Sequence, residues 1–373
     1  MCWRWSLLAP VVSVREQLVL AAPQVLAWGG LAIGVVFGVL VERTRFCAMG
    51  ALSDLLAFDD RRRLRAWLLA SAVAILGAQS LQAAAVVDLG LSMYLAPSFN
   101  WLGNILGGLM FGVGMVFAGG CASRNLVRLG AGDVRAAVVL VVMGVCAYMT
   151  LGGILGPLRV ALESATAIEL PGETRQSLAA LLSLATGWSR STARWLVSLA
   201  LAASLLIYCL RDGEFRRSPA LLVGGFGVGL CVVAAWAVSG LAYDEFAALP
   251  QPPQALSFVR PSGDTLEYLE RYTASPVPGF GVATVLGTLI GAFLAALSAG
   301  RFKLAGFADS ADTLRNLAGA ALMGVGGVVA MGCSIGQSLS GVSTLSIGSL
   351  LAALALVVGG LLGLRILERS LHA

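Results

Sequence analysis

Long apolar runs, broken by short stretches that are basic or rich in Gly and Ser, set the pattern of this chain. A helix needs roughly 20 apolar residues to cross a bilayer. Nine stretches meet or approach that length: 25–41, 66–87, 101–118, 135–156, 194–210, 219–241, 279–299, 314–331 and 345–363. The pattern predicts an all-α polytopic membrane protein with about nine transmembrane helices. Arg61, Arg62, Arg63 and Arg65 follow the first stretch, Arg211, Arg216 and Arg217 the fifth, and Arg365 and Arg369 the last. The positive-inside rule puts these clusters in the cytoplasm. Nine crossings satisfy it with the N-terminus periplasmic and the C-terminus cytoplasmic. Loops 157–193 and 242–278 then fall outside as exterior caps. Residues 1–23, with Trp3, Arg4, Trp5 and Pro10, predict an interfacial helix rather than a cleaved leader.

An internal repeat runs through this pattern. Asn104–Cys121 laid over Asn316–Cys333 matches at nine of 18 positions, including both end residues. The copies fall on the third and eighth stretches, an odd number of crossings apart, so they run in opposite directions. That predicts an inverted repeat, whose sites lie between the copies near the midplane. The expected halves are 25–156 and 279–363, joined by the spans and loops of 157–278 within a single domain, 1–373. Glycines spaced for close helix packing recur at Gly30-Gly34-Gly38, Gly103-Gly107, Gly108-Gly112, Gly225-Gly229 and Gly287-Gly291.

Composition narrows the function. Charged residues make up 12% of the chain, against about 25% in soluble domains, and the mean hydropathy is +0.86. The net charge of +5 is spread over loops, which argues against a nucleic-acid partner. The one histidine, His372, is next to the terminus. No candidate therefore exists for a histidine metal site or for Ser-His or Cys-His catalysis, and no enzyme activity or cofactor is expected.

Three cysteines carry the candidate chemistry. Cys47, Cys121 and Cys333 precede AMGALSDLL, ASRNLVRLGAGD and SIGQSLSGVSTL, each too short and too polar to span. Each cysteine is expected at the start of a re-entrant half-helix. A helix N-terminus presents free N–H donors and partial positive charge to an anion, and a thiol adds a soft, polarizable contact. A ligand that is both an anion and a sulfur compound uses all of these. Arg45, Arg124 and Arg128 lie close in sequence and could attract it. Arg301-Phe302-Lys303 echoes Arg45-Phe46-Cys47, with Gly306 matching Gly50, so Lys303 is expected as a cytoplasmic-side anion contact. Cys2, Cys146, Cys209 and Cys231 are expected as packing residues. A membrane thiol–disulfide oxidoreductase is the competing class, but the chain has no C-x-x-C. An ion channel gains nothing from soft sulfur.

The segments ERTRFCAMGALSDLL (42–56), FGVGMVFAGGCASRNLVRLG (111–130) and MGVGGVVAMGCSIGQSLSGVSTLS (323–346) resemble the YeeE/YedE family of bacterial thiosulfate and sulfur transporters. The resemblance implies uptake of thiosulfate across the inner membrane along an hourglass-shaped path. It implies that Cys47, Cys121 and Cys333 pass the substrate by transient S–H···S contacts. It also implies a cytoplasmic TusA-like sulfurtransferase as partner; some relatives are assigned selenium transport instead.

Physics constrains any such path. An unpaired ion in hydrocarbon costs tens of kcal/mol, and a helix end returns about 0.3–1 kcal/mol. The path must therefore be mostly wet, with a short constriction. A membrane potential of 100 mV opposes an incoming dianion by about 5 kcal/mol. Asp54, Asp88 and Asp133 all sit near predicted span ends, so consumption of the anion by a partner is expected to draw it inward.

Overall fold

The apolar stretches fold as helices in the computed structural model, which describes residues 18–170, 176–247, 250–274, 276–307 and 310–372. Most of the expected interfacial helix, with Cys2, lies outside the described residues. Among them, nine helices have 17 residues or more, one for each predicted stretch. By length and composition there are eight candidate membrane spans. The ninth long helix carries Asp312 and Arg315 in its first turns. The protein is an all-α, multi-pass membrane protein.

The chain begins with α1 (Ala22–Thr44), the short α2 (Ala48–Phe58) and α3 (Arg62–Ala83). Next come α4 (Trp101–Phe117), the short α5 (Ala122–Gly130) and α6 (Val134–Leu151). A connecting region holds α7 (Gly156–Thr166), α8 (Leu178–Thr186), α9 (Arg190–Leu210) and the single turn α10 (Gly213–Arg216). Then follow α11 (Pro219–Leu241), α12 (Val259–Glu270), α13 (Phe280–Ser298) and α14 (Ser310–Val329). A short helix α15 over 334–343, π-helical at Gly336–Gly341, leads into α16 (Ile347–His372). The order long, short, long, long, short, long thus occurs twice, over Ala22–Leu151 and Pro219–His372.

Close glycine contacts give the helix directions. Gly107 lies against Gly326 and Ala330, whereas Gly114 lies against Gly319 and Met323, so α4 and α14 cross antiparallel. Gly224 meets Thr44 and Gly29 meets Val238, so α1 and α11 are antiparallel as well. Equivalent helices of the two units run in opposite directions, as inversion requires. Unlike helices pair in parallel: α1 with α13 through Gly30 and Gly38, and α4 with α16 through Gly108 and Gly112.

Two expectations are corrected. The second unit opens at Pro219 rather than at 279. Loop 242–278 is not an exterior cap: Pro253, Ala255, Leu256 and Phe258 are buried, and the chain then enters α12, whose Val259 and Pro261–Gly263 are buried too. The prolines and the charges Arg260, Asp264, Glu267 and Glu270 give this segment the look of a solvent loop. Its small and apolar first turn nevertheless packs inside. The other expected cap, 157–193, holds α7, α8 and the strand Ile168–Glu169, paired antiparallel with Ser98–Phe99.

Candidate functional site

Each candidate cysteine follows a left-handed residue two positions earlier: Arg45 (φ 55), Gly119 (φ 68) and Met331 (φ 60). That turn ends the preceding long helix and sends the chain back into a short one. Cys47 and Cys121 stand in extended conformation as the N-caps of α2 and α5, and Cys333 immediately precedes α15. The Gly50 N–H points to Cys47 Sγ at 3.4 Å, and the Gly336 N–H to Cys333 Sγ at 3.3 Å. These thiols take the acceptor role that Ser, Thr or Asp usually fills. Cys121 Sγ instead lies 3.4 Å from Ser123 Oγ and caps no backbone donor.

The three side chains are 9%, 1% and 0% exposed, and all are free thiols. Cys121 lies within electrostatic range of both Cys47 and Cys333. The structure thus gathers three cysteines from distant sequence into one buried group, with Cys121 in range of both others. No disulfide joins any of the described cysteines to another. Cys209 and Cys231 are packed in the core, and Cys146 is part-buried on α6.

Sequence reasoning missed residues around Cys333. Ser257 Oγ lies 3.9 Å from its sulfur, and Tyr94 is close enough to interact with it electrostatically. Tyr94 packs edge-on against Trp236 with ring centroids 6.4 Å apart. The Trp236 indole N–H donates to Ser343 Oγ at 3.0 Å. Both Tyr94 and Ser257 stand in segments that read as connecting loops, with no motif to mark them.

The counterpart of Cys47 in the second unit is the N-cap of α12, Phe258, stacked on Phe37 at 5.1 Å. It is not Lys303. The segment holding Lys303 follows α13, the equivalent of α3, so its likeness to Arg45-Phe46-Cys47 is local only. The Lys303 side chain is exposed, while its backbone N–H donates to Ala131 O at 3.1 Å and staples the end of α5.

Among the expected cations, Arg124 joins the cysteine group, within electrostatic range of Cys47. Arg63 is there too, paired with Asp54 at 3.1 Å. Arg45 is exposed. A buried acid, Glu42, contacts both Arg124 and Arg301; at the end of an apolar run, its sequence context is that of an interfacial residue.

Arg128 has a scaffolding task. It donates to Gly119 O at 3.0 Å and to Asp133 Oδ2 at 2.6 Å, bracing the turn before Cys121. Burial alone would raise the Asp133 carboxyl. Hydrogen bonds from Arg135 and Arg128, with the Arg128 charge, outweigh it and hold the carboxyl below its ordinary 3.8. A carboxyl depressed this way stabilises the fold above that ordinary value, and the contribution fades as pH falls through the folded value. Asp133→Asn is therefore expected to cost about 1–3 kcal/mol at neutral pH. Melting in detergent should show the gap to wild type narrowing once the pH falls below about 3.8.

Comparison with known proteins gives consistent results. The profile of the family described as Sulphur transport matches residues 43–362. A thiosulfate transporter TsuA of Spirochaeta thermophila is 30% identical over 344 residues, covering 89% of this chain and 96% of the relative. The thiosulfate transporter TsuA of Escherichia coli is 28% identical, over 83% of this chain and 86% of its own. A probable transporter YedE of Salmonella typhimurium is 37% identical over 110 residues, 28% of this chain and 25% of the relative.

Proposed function

The chain belongs to the sulphur transport family, and on that premise we propose that it imports thiosulfate across the bacterial inner membrane. The observation that carries this reading is the buried group of three free thiols, two of them capping short helices, with Cys121 within range of the other two. Thiosulfate has a soft terminal sulfur and hard oxygens. It can present the sulfur to the thiols while its oxygens face helix N-termini.

With a periplasmic N-terminus and a cytoplasmic C-terminus, the path runs from Cys333 through Cys121 to Cys47, narrowing at Cys121 like an hourglass. The cysteines stay thiols during turnover, since lasting covalent capture would stall transport. A cytoplasmic TusA-like sulfurtransferase takes the sulfur and keeps the inside concentration low. The test is growth on thiosulfate as sole sulfur source, in a host lacking its own importers and supplied with a TusA-like protein. Rescue by this chain is expected. Failure of well-expressed protein to rescue would remove thiosulfate and direct the test to selenium compounds.

Exposed Arg45 and Lys303 act in this scheme by long-range attraction only. Arg45→Gln and Lys303→Gln are expected to slow capture of thiosulfate from the cytoplasmic side at low salt by about an order of magnitude or less. The difference should vanish at roughly 1 M salt, where the screening length is about 3 Å.

A further inference from the structure

Arg124, within electrostatic range of Cys47, belongs to an ion cluster that is poorly satisfied. Glu42 is 7% exposed at the end of α1. Arg124 Nη1 lies 3.7 Å from one carboxylate oxygen and Arg301 Nε 3.6 Å from the other. Both distances exceed a hydrogen bond, and both nitrogens are buried with no hydrogen-bond partner. Arg301 adds one long contact, 3.5 Å, to the Glu42 backbone carbonyl.

This fold makes tight ion pairs elsewhere. Arg159 holds Glu163 at 2.7 and 2.8 Å, and Arg315 holds Asp312 at 2.6 Å. Buried donors are normally satisfied, so two orphans around one carboxylate need a reason. Both cations face a single anion, which leaves the cluster one positive charge in excess. Arg124 belongs to the first turn of α5, directly after Cys121, and is within electrostatic range of Cys47.

We propose that Arg124 and Arg301 form a divalent-oxyanion site whose resident occupant, without substrate, is the carboxylate of Glu42. The inference rests on the sulfur-oxyanion reading above and adds to it a release device. A dianion is attracted to the two guanidinium groups about twice as strongly as a single carboxylate at equal distance. Its several oxygens can accept from both at normal length, which the carboxylate, tethered to α1, does not. The displaced Glu42 stays close at high effective concentration. It repels the bound dianion and competes to retake the arginines, so the substrate does not lodge there.

Purified protein in detergent tests this, with thiosulfate and sulfate as titrants and labelled thiosulfate for uptake into proteoliposomes. Glu42→Gln removes the competitor and is expected to bind thiosulfate tenfold or more tightly while turning over more slowly. Glu42→Asp keeps the charge but shortens the reach, and is expected to fall between; it serves if the Gln variant does not fold. Arg301→Gln should weaken binding in both the wild-type and the Glu42→Gln backgrounds. Unchanged or weaker binding by a folded Glu42 variant would overturn the proposal and leave Glu42 as a structural ion pair. If wild type transports no thiosulfate yet Glu42→Gln binds sulfate more tightly than wild type, the substrate is misassigned and the counter-anion role stands.

Discussion

Cys121→Ala is expected to abolish growth on thiosulfate, while Cys146→Ala grows at the wild-type rate. The contrast comes from where each sulfur sits. Cys121 lies within range of both other thiols, so in the proposed relay its loss breaks the path, whereas Cys146 is part-buried on α6. The Cys121 thiol caps no backbone donor, so truncation leaves no N–H unpaired. Its sulfur is buried beside Ser123 Oγ at 3.4 Å, so melting in detergent, measured beside growth, separates lost packing from lost transport. Cys47 and Cys333 differ. Their thiols accept from Gly50 and Gly336, so alanine there removes a cap worth about 0.5–2 kcal/mol. Loss of growth in those variants mixes stability with chemistry. Serine separates the two, since its hydroxyl caps a helix well but lacks the soft sulfur. Cys47→Ser and Cys333→Ser are expected to melt near wild type and still fail on thiosulfate. Growth of either serine variant at the wild-type rate would show that its thiol is only a cap.

Much of this arrangement was legible because turn and membrane chemistry leave local marks. Nine apolar runs became nine long helices, and Gly-Cys or Phe-Cys before a polar segment marked three short ones. Long-range register leaves no such mark. Val259–Glu270 carries four charges and follows a proline cluster, and nothing local says that its first turn is buried beside Cys333. The Lys303 echo failed for the same reason. Three matched residues fix a turn, but helix order decides which turn is equivalent, and α12 had to be found before α13 could be counted. Glu42 has the look of a boundary residue because one acid at the end of an apolar run normally reaches water. Only the approach of Arg124 from α5 and Arg301 beyond α13 reveals it as buried.

The crossing of α4 over α14 should tolerate no added side chain, and Gly107→Val and Gly319→Val should be about equally damaging. A Cβ at Gly107 would stand 2.6 Å from Gly326 O, and one at Gly319 would stand 2.7 Å from Gly114 O. These are backbone atoms in rigid helices, so no side chain can rotate away and the helices themselves must part. Overpacking of this kind costs about 1–3 kcal/mol or more. The equality follows from the inversion. Under the repeat, Gly107 corresponds to Gly319 and Gly114 to Gly326, so the contact of Gly107 with Gly326 maps onto that of Gly319 with Gly114. One structural defect is then introduced at two equivalent places. Gly306, where an added Cβ would meet nothing within 4 Å, is the control, and Gly306→Ala should melt with wild type. Melting in detergent and recovery of monodisperse protein measure all three. If Gly319→Val were tolerated while Gly107→Val was not, the two crossings would not be equivalent, and the twofold relation between the units would not extend to their central helices.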